Sequence, residues 1–134
     1  ILLFITMLTV KYVNSSEAAD IYRVLGVEGE PFGSNFVMYD EASPVALWRM
    51  QIAIEDEPVG VIEKIHFAPG VEEGDRTFFL HAMFFKLIEG APVKLRIEGK
   101  REEFERFGFK EVGGNMEIYS RDVNLHYMCG GRKN

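Results

Sequence analysis

Thiol chemistry is almost missing from this 134-residue sequence, which has one cysteine, Cys129. A disulfide framework is thereby excluded, and a lone thiol points either to reducing, cytoplasmic surroundings or to a buried apolar side chain. Positive charge is scarce too. Fifteen Lys and Arg face twenty-one Asp and Glu, for a formal charge of −6, and the basic residues are scattered rather than clustered. This balance opposes attraction to phosphate backbones and anionic membranes and argues against nucleic acid as a partner. The apolar stretch at residues 1–10 is too short to span a membrane. Lacking a basic amino-terminal region and a small-residue cleavage site, it reads as part of a strand over residues 4–13 rather than as a targeting segment. The absence of an initiator methionine implies residues before Ile1. Internal repeats and low-complexity linkers are missing as well. A single domain over residues 1–134 is therefore expected, with residues 121–134 as a tail or an added edge segment.

What is present is a globular composition, 47% hydrophobic and 27% charged, which excludes general disorder and allows a sizeable core. Asn14 and Glu17 have the spacing of a capping box, and Ala18, Ile21, Tyr22 and Leu25 recur on one helical face before Gly26. A loop over residues 26–35 leads to strand candidates at residues 36–39, 45–54 and 59–67, an antiparallel meander. In the last of these, Val61, Glu63, Ile65 and Phe67 share one side in simple alternation. Residues 71–76 read as a loop before a very apolar helix at residues 78–88, expected to be buried on much of its circumference as the central packing helix. Residues 93–98 alternate Val93, Leu95 and Ile97 with Lys94, Arg96 and Glu98, the pattern of a strand with one wet side. A short helix at residues 101–107 and a hairpin turning at Gly113, Gly114 and Asn115 complete the order, with an extension near Tyr127. The fold class is a mixed α/β sheet with an antiparallel amino-terminal meander and a central helix packed on it.

This order of elements carries three distinctive segments: Ile62-Glu63-Lys64-Ile65-His66-Phe67-Ala68-Pro69, Gly74 ahead of the long helix, and residues 102–113 with Phe107-Gly108-Phe109. Together they resemble the Gcn5-related N-acetyltransferase (GNAT) family over nearly the whole chain. The resemblance implies acetyl-CoA or CoA in a V-shaped opening between the fourth strand, residues 59–67, and the fifth, residues 93–98. It implies that the backbone of Phe67 and Ala68 pairs with pantetheine. It also makes Val71, Gly74, Asp75, Arg76 and Thr77 part of a pyrophosphate loop at a helix amino terminus, where unpaired amides and the dipole favour an anion. Two departures accompany it. Glu72, Glu73 and Asp75 place negative charge at that loop, with Arg76 as its positive group, and Glu105 stands where the family often has a tyrosine that protonates the departing thiolate.

Acetyl transfer to an amine needs a proton acceptor, and Glu63 is the candidate base from its place in the fourth strand; pairing with a basic side chain at the sheet edge is the alternative. His66 is the candidate relay and Glu105 the candidate acid, a role that needs a carboxyl kept protonated by burial. His81 reads as a hydrogen-bonded helical side chain. The three histidines have no carboxylate-rich or cysteine-rich surroundings, so no metal site is expected, and Cys129 is too isolated to establish a Cys-His nucleophile. Phe78, Phe79, Phe84 and Phe85 read as core, whereas Phe36, Tyr39 and Trp48 are the acceptor-side candidates, ordinary burial being their other reading. Two functions are left open. One is an N-acetyltransferase acting on a small amine or a peptide or protein amino group. The other is a noncatalytic binding or assembly module of the same fold, with a homodimer through edge strands or the carboxy-terminal segment.

Overall fold

Asn14 and Glu17 close the expected capping box: the Glu17 N–H donates to Asn14 Oδ1 at 2.8 Å, and the Asn14 N–H to Glu17 Oε1 at 3.3 Å. The helix they start, α1 (Ser15–Leu25), buries Ala18, Ile21 and Tyr22 and ends at Gly26, as the spacing of its apolar residues predicts. It follows β1 (Leu8–Val13) and precedes β2 (Ser34–Asp40), β3 (Ser43–Ile54) and β4 (Pro58–Phe67). Next come α2 (Glu73–Glu89), β5 (Lys94–Ile97), a 3-10 helix (Glu102–Phe107), β6 (Lys110–Val112), β7 (Asn115–Tyr119) and a last 3-10 turn (Ser120–Asp122). This computed structural model describes residues 7–125; the expected strand residues 4–6, His126, the extension at Tyr127, Cys129 and most of the expected tail lie outside them.

Among the described residues, seven strands form one open sheet in the order β1-β2-β3-β4-β5-β7-β6. Every neighbouring pair is antiparallel except β4 and β5, which run parallel and are joined through α2. The mixed α/β class with its amino-terminal meander is what the structure shows. Period-two alternation sorts β2 and most of β3 between two cores, with Val45 the extra residue where the β2–β3 register shifts. Val37 and Leu47 join Val13 under α1. Met38, Ala46, Trp48 and Met50 face α2 with Ile62. The β6–β7 hairpin turns at Gly113 and Gly114, whose φ values of 59° and 87° give the doubly left-handed turn that matches strand twist.

Four expectations need correction. Helix α2 begins at Glu73 rather than at Phe78, because Glu73 and Asp75 are first-turn acids that complement the helix dipole, not loop residues. Its burial is narrower than its composition implies: Phe79, Leu80, Met83 and Phe84 are buried, while Phe78 and Phe85 are 43% and 51% exposed. The late helix is a six-residue 3-10 helix, capped by the Gly108 N–H donating to the Glu105 carbonyl. Strand β4 also departs from simple alternation. Arg49 pairs with Lys64 and Met50 with Ile62, so Glu63 is the extra residue of a β-bulge. Beyond the bulge the faces exchange, and Ile65 and Phe67 join Ile62 on the α2 side instead of following Val61 and Glu63.

The Phe84 ring ties the layers together. Its centroid lies 5.4 Å from Trp48, 4.7 Å from Phe107, 5.7 Å from Phe109 and 6.3 Å from Phe104, so one helical residue joins the meander to the late 3-10 helix. Removing it leaves a cavity walled by rigid rings that collapse poorly. Phe84→Ala is expected to destabilise the fold by about 3–5 kcal/mol, read as a lowered urea midpoint.

Candidate functional site

Pairing between β4 and β5 covers only Val59 to Ile62 against Lys94 to Ile97. Two local features end it there. The bulge at Glu63 bends β4, and Gly99, with φ of 82°, turns the chain after β5 toward β7, where its N–H donates to Asn115 Oδ1 at 3.0 Å. The carboxyl half of β4 therefore keeps β3 on one edge and, among the described residues, has no strand on the other. The Ala68 N–H is already engaged with the Val45 carbonyl at 2.9 Å. Since backbone groups alternate sides along a strand, Phe67 directs its N–H and carbonyl to the open edge. Of the expected pair, Phe67 has the open backbone and Ala68 does not.

Below that edge is a cleft of about 400 Å³ with three walls. Ile65, His66 and Phe67 form the first, Glu73, Arg76, Thr77 and Leu80 of α2 the second, and Arg101, Glu103, Phe104 and Arg106 the third. Arg76 is tethered, its Nε donating to the Val71 carbonyl at 3.2 Å and its guanidinium lying 5.1 Å from the Phe67 ring centroid. Arg101 pairs with Glu103 at 3.2 Å and lies 5.3 Å from the Phe104 ring. The walls thus carry three arginines against two glutamates, Glu73 and Glu103, while Glu72 and Asp75 are outside them. The local sign is the reverse of the one expected from the acidic residues 72–75. Sequence reasoning counted Arg76 alone. Arg101 and Arg106 flank Phe104 in the sequence, but only packing brings that segment opposite α2.

Glu63 has its carboxylate 3.2 Å from Arg49 Nη2, and Gln51 Nε2 donates to it at 2.9 Å. Arg49 also donates through Nη1 to the Tyr22 hydroxyl at 3.4 Å, which ties Glu63 indirectly to α1. Residue Glu63 also lines a pocket of about 30 Å³ between β4 and β5, with Lys64, Ile97, Glu98 and Arg101 among its walls. His66 lies opposite Leu47 in register, and its Nε2 is shielded from solvent without a hydrogen-bond partner among the described residues. Glu105 is exposed and absent from the cleft walls, so the structure does not gather the three expected catalytic residues around one point.

The acceptor-side candidates separate as well. Trp48 is fully buried, edge-on to Phe79 at 6.4 Å and to Phe84 at 5.4 Å, so it is a core residue with no surface for an acceptor. Phe36 packs against the same core and meets Tyr12 edge-on at 5.7 Å. Tyr39 is on the opposite face, under the Lys11 ammonium at 5.2 Å, and burial followed by the nearby Glu17 charge raises its pKa. His81 is half-buried beside the exposed Phe78 and Phe85. Among the described residues, no group of three or more His, Cys, Asp or Glu is placed to hold a metal ion, and no helix is long and apolar enough to cross a membrane.

No family model and no curated protein matches the sequence. Solved structures do match. A chain of the KacTA–DNA complex aligns with a TM-score of 0.64 at 9% identity, over 92% of this chain and 99% of its own. A GNAT-family acetyltransferase from Brucella melitensis in complex with acetyl-CoA gives 0.63 at 12% identity, over 84% and 87%. AtaTR bound with acetyl-CoA gives 0.61 at 11% identity, over 90% and 98%. The chain has the fold of the Gcn5-related acetyltransferases.

Gly74 lies in the first turn of α2, and a Cβ built there meets nothing within 4 Å. A loop glycine needed for an unusual backbone would resist replacement, whereas a helical one gains from it. Gly74→Ala is expected to raise stability by about 0.5–1 kcal/mol in urea unfolding.

Proposed function

We propose that this chain is a divergent Gcn5-related N-acetyltransferase that moves an acetyl group from acetyl-CoA to the amine of a small molecule, peptide or protein. The observation that carries this reading is the parting of β4 from β5 after Ile62 and Ile97, which turns the Phe67 backbone to an edge without a strand partner among the described residues, above a cleft with three arginines in its walls. An unpaired strand edge suits an extended amide-bearing arm, because the amides replace the missing strand. The amino terminus of α2, with Arg76 beside it, suits a diphosphate. The residues present therefore fit acetyl-CoA.

Bound there, acetyl-CoA would supply an activated acetyl thioester. The chain's own contribution is position and proton handling. Phe67 holds the arm along β4, and Arg76 and Arg106 compensate phosphate charge from two walls. Glu63, or a water it orients, accepts the amine proton, with Arg49 and Gln51 fixing the carboxylate at the bulge. Trp48 has no part in the acceptor site. A cytoplasmic setting accords with the lone cysteine and the net charge of −6.

Isothermal titration with acetyl-CoA and with CoA tests the reading directly. Saturable binding below about 1 mM is expected; none across that range would reject the enzyme and favour a noncatalytic module of the same fold. Glu63→Gln is expected to retain cofactor binding and its folded circular dichroism while slowing transfer by about a hundred-fold. Transfer at the wild-type rate would remove Glu63 from the mechanism.

A further inference from the structure

The cleft and the small pocket holding Glu63 share two wall residues among the described residues, Ile65 on β4 and Arg101 before the 3-10 helix. A thioester reaching from the cleft toward Glu63 passes between them. We propose that Arg101 is a catalytic residue whose guanidinium stabilises the negative charge on the departing sulfur. The inference rests on the cofactor reading above.

The reason is chemical. Acetyl transfer forms a C–N bond and breaks the C–S bond; the amine proton goes to Glu63 or its water, and the bonding electron pair leaves on sulfur as a thiolate that later takes a proton from solvent. Charge therefore develops at sulfur, and a fixed cation there lowers the barrier more than the same cation does in water. The surroundings make a cation necessary. The small pocket also carries Glu63, Glu98 and Lys64, and the cleft carries Glu73, Glu103, Arg76, Arg106 and the wall residue His66. Carboxylates on both sides of the junction would oppose a thiolate. Lys64 lines only the small pocket and Arg76 and Arg106 only the cleft, so among the described residues Arg101 is the cation common to both. Glu103 and the Phe104 ring hold its guanidinium from one side. An arginine cannot serve as the proton donor at neutral pH, so its contribution is electrostatic. The exposed Glu105 is not needed as an acid on this account.

The test reads the thiol of bound coenzyme A by its ultraviolet thiolate absorbance against pH, which requires no acceptor and no turnover. A neighbouring guanidinium favours the thiolate, so in the wild-type protein the bound thiol is expected to titrate about one unit below free coenzyme A. Arg101→Gln should abolish the shift, Arg101→Lys should keep most of it, and Lys64→Gln should leave it unchanged. A merely structural arginine would not move this titration. The proposal is overturned if the wild-type thiol is unshifted, if the shift survives in a folded Arg101→Gln protein, or if Lys64→Gln removes it. Should Arg101→Gln not fold, an Arg101→Lys protein with the wild-type shift supports the proposal and one with no shift rejects it. An unshifted thiol on bound coenzyme A rejects Arg101 alone, whereas no binding of coenzyme A by the wild type rejects the cofactor reading and this role together.

Discussion

A strand has two hydrogen-bonding edges, and β4 divides one of them between a neighbour and an opening. From Val59 to Ile62 that edge belongs to β5; from the bulge at Glu63 onward no strand among the described residues occupies it. The cleft, the open backbone of Phe67 and the small pocket at Glu63 all follow from this change. Had β5 continued in register, the edge would be satisfied and the walls closed. The constraint is backbone accounting: a strand edge lining a cavity must find its partners in water or in a ligand.

The aromatic core holds the opening in shape. Phe84 contacts the meander through Trp48 and the late segment through Phe104, Phe107 and Phe109. The late 3-10 helix has six residues and no side-chain cap, so its position depends on these buried rings more than on its own hydrogen bonds. That position matters because Arg101 and Arg106 travel with Phe104 to face Arg76. Packing in the interior thus sets the charge of the cleft.

Charge illustrates how composition and geometry diverge. The chain is acidic overall, and residues 72–75 look hostile to a phosphate when read in line. In the folded chain their acids belong to a helix start, where they oppose the positive dipole end, and only Glu73 reaches the cleft wall. Elsewhere acids and bases neutralise each other across the wet face of β5. Arg96 bonds Glu55 and Glu117, which raises its pKa and lowers that of Glu55. That carboxylate favours the folded state at neutral pH, and its contribution fades as the pH falls through its depressed pKa. The alternation of Lys94, Arg96 and Glu98 was therefore legible as a wet strand face, but not the partners that Arg96 finds.

Local chemistry was legible from the sequence alone. The Asn14–Glu17 cap, the apolar face of α1, the alternating strands and the Gly113–Gly114 turn each depend on residues within a few positions of one another, so short-range sterics and hydrogen bonds suffice to specify them. The resemblance of residues 62–69 and 102–113 carried the class of the fold as well. Tertiary structure decided the rest. It buried Trp48, left Glu105 in solvent, engaged the Ala68 N–H with Val45 and brought Arg101 across from Arg76. These outcomes depend on a one-residue bulge that exchanges the faces of a strand and on rings packed from distant segments. Neither leaves a periodic mark in the sequence, because each is a property of two surfaces meeting rather than of one segment's own pattern.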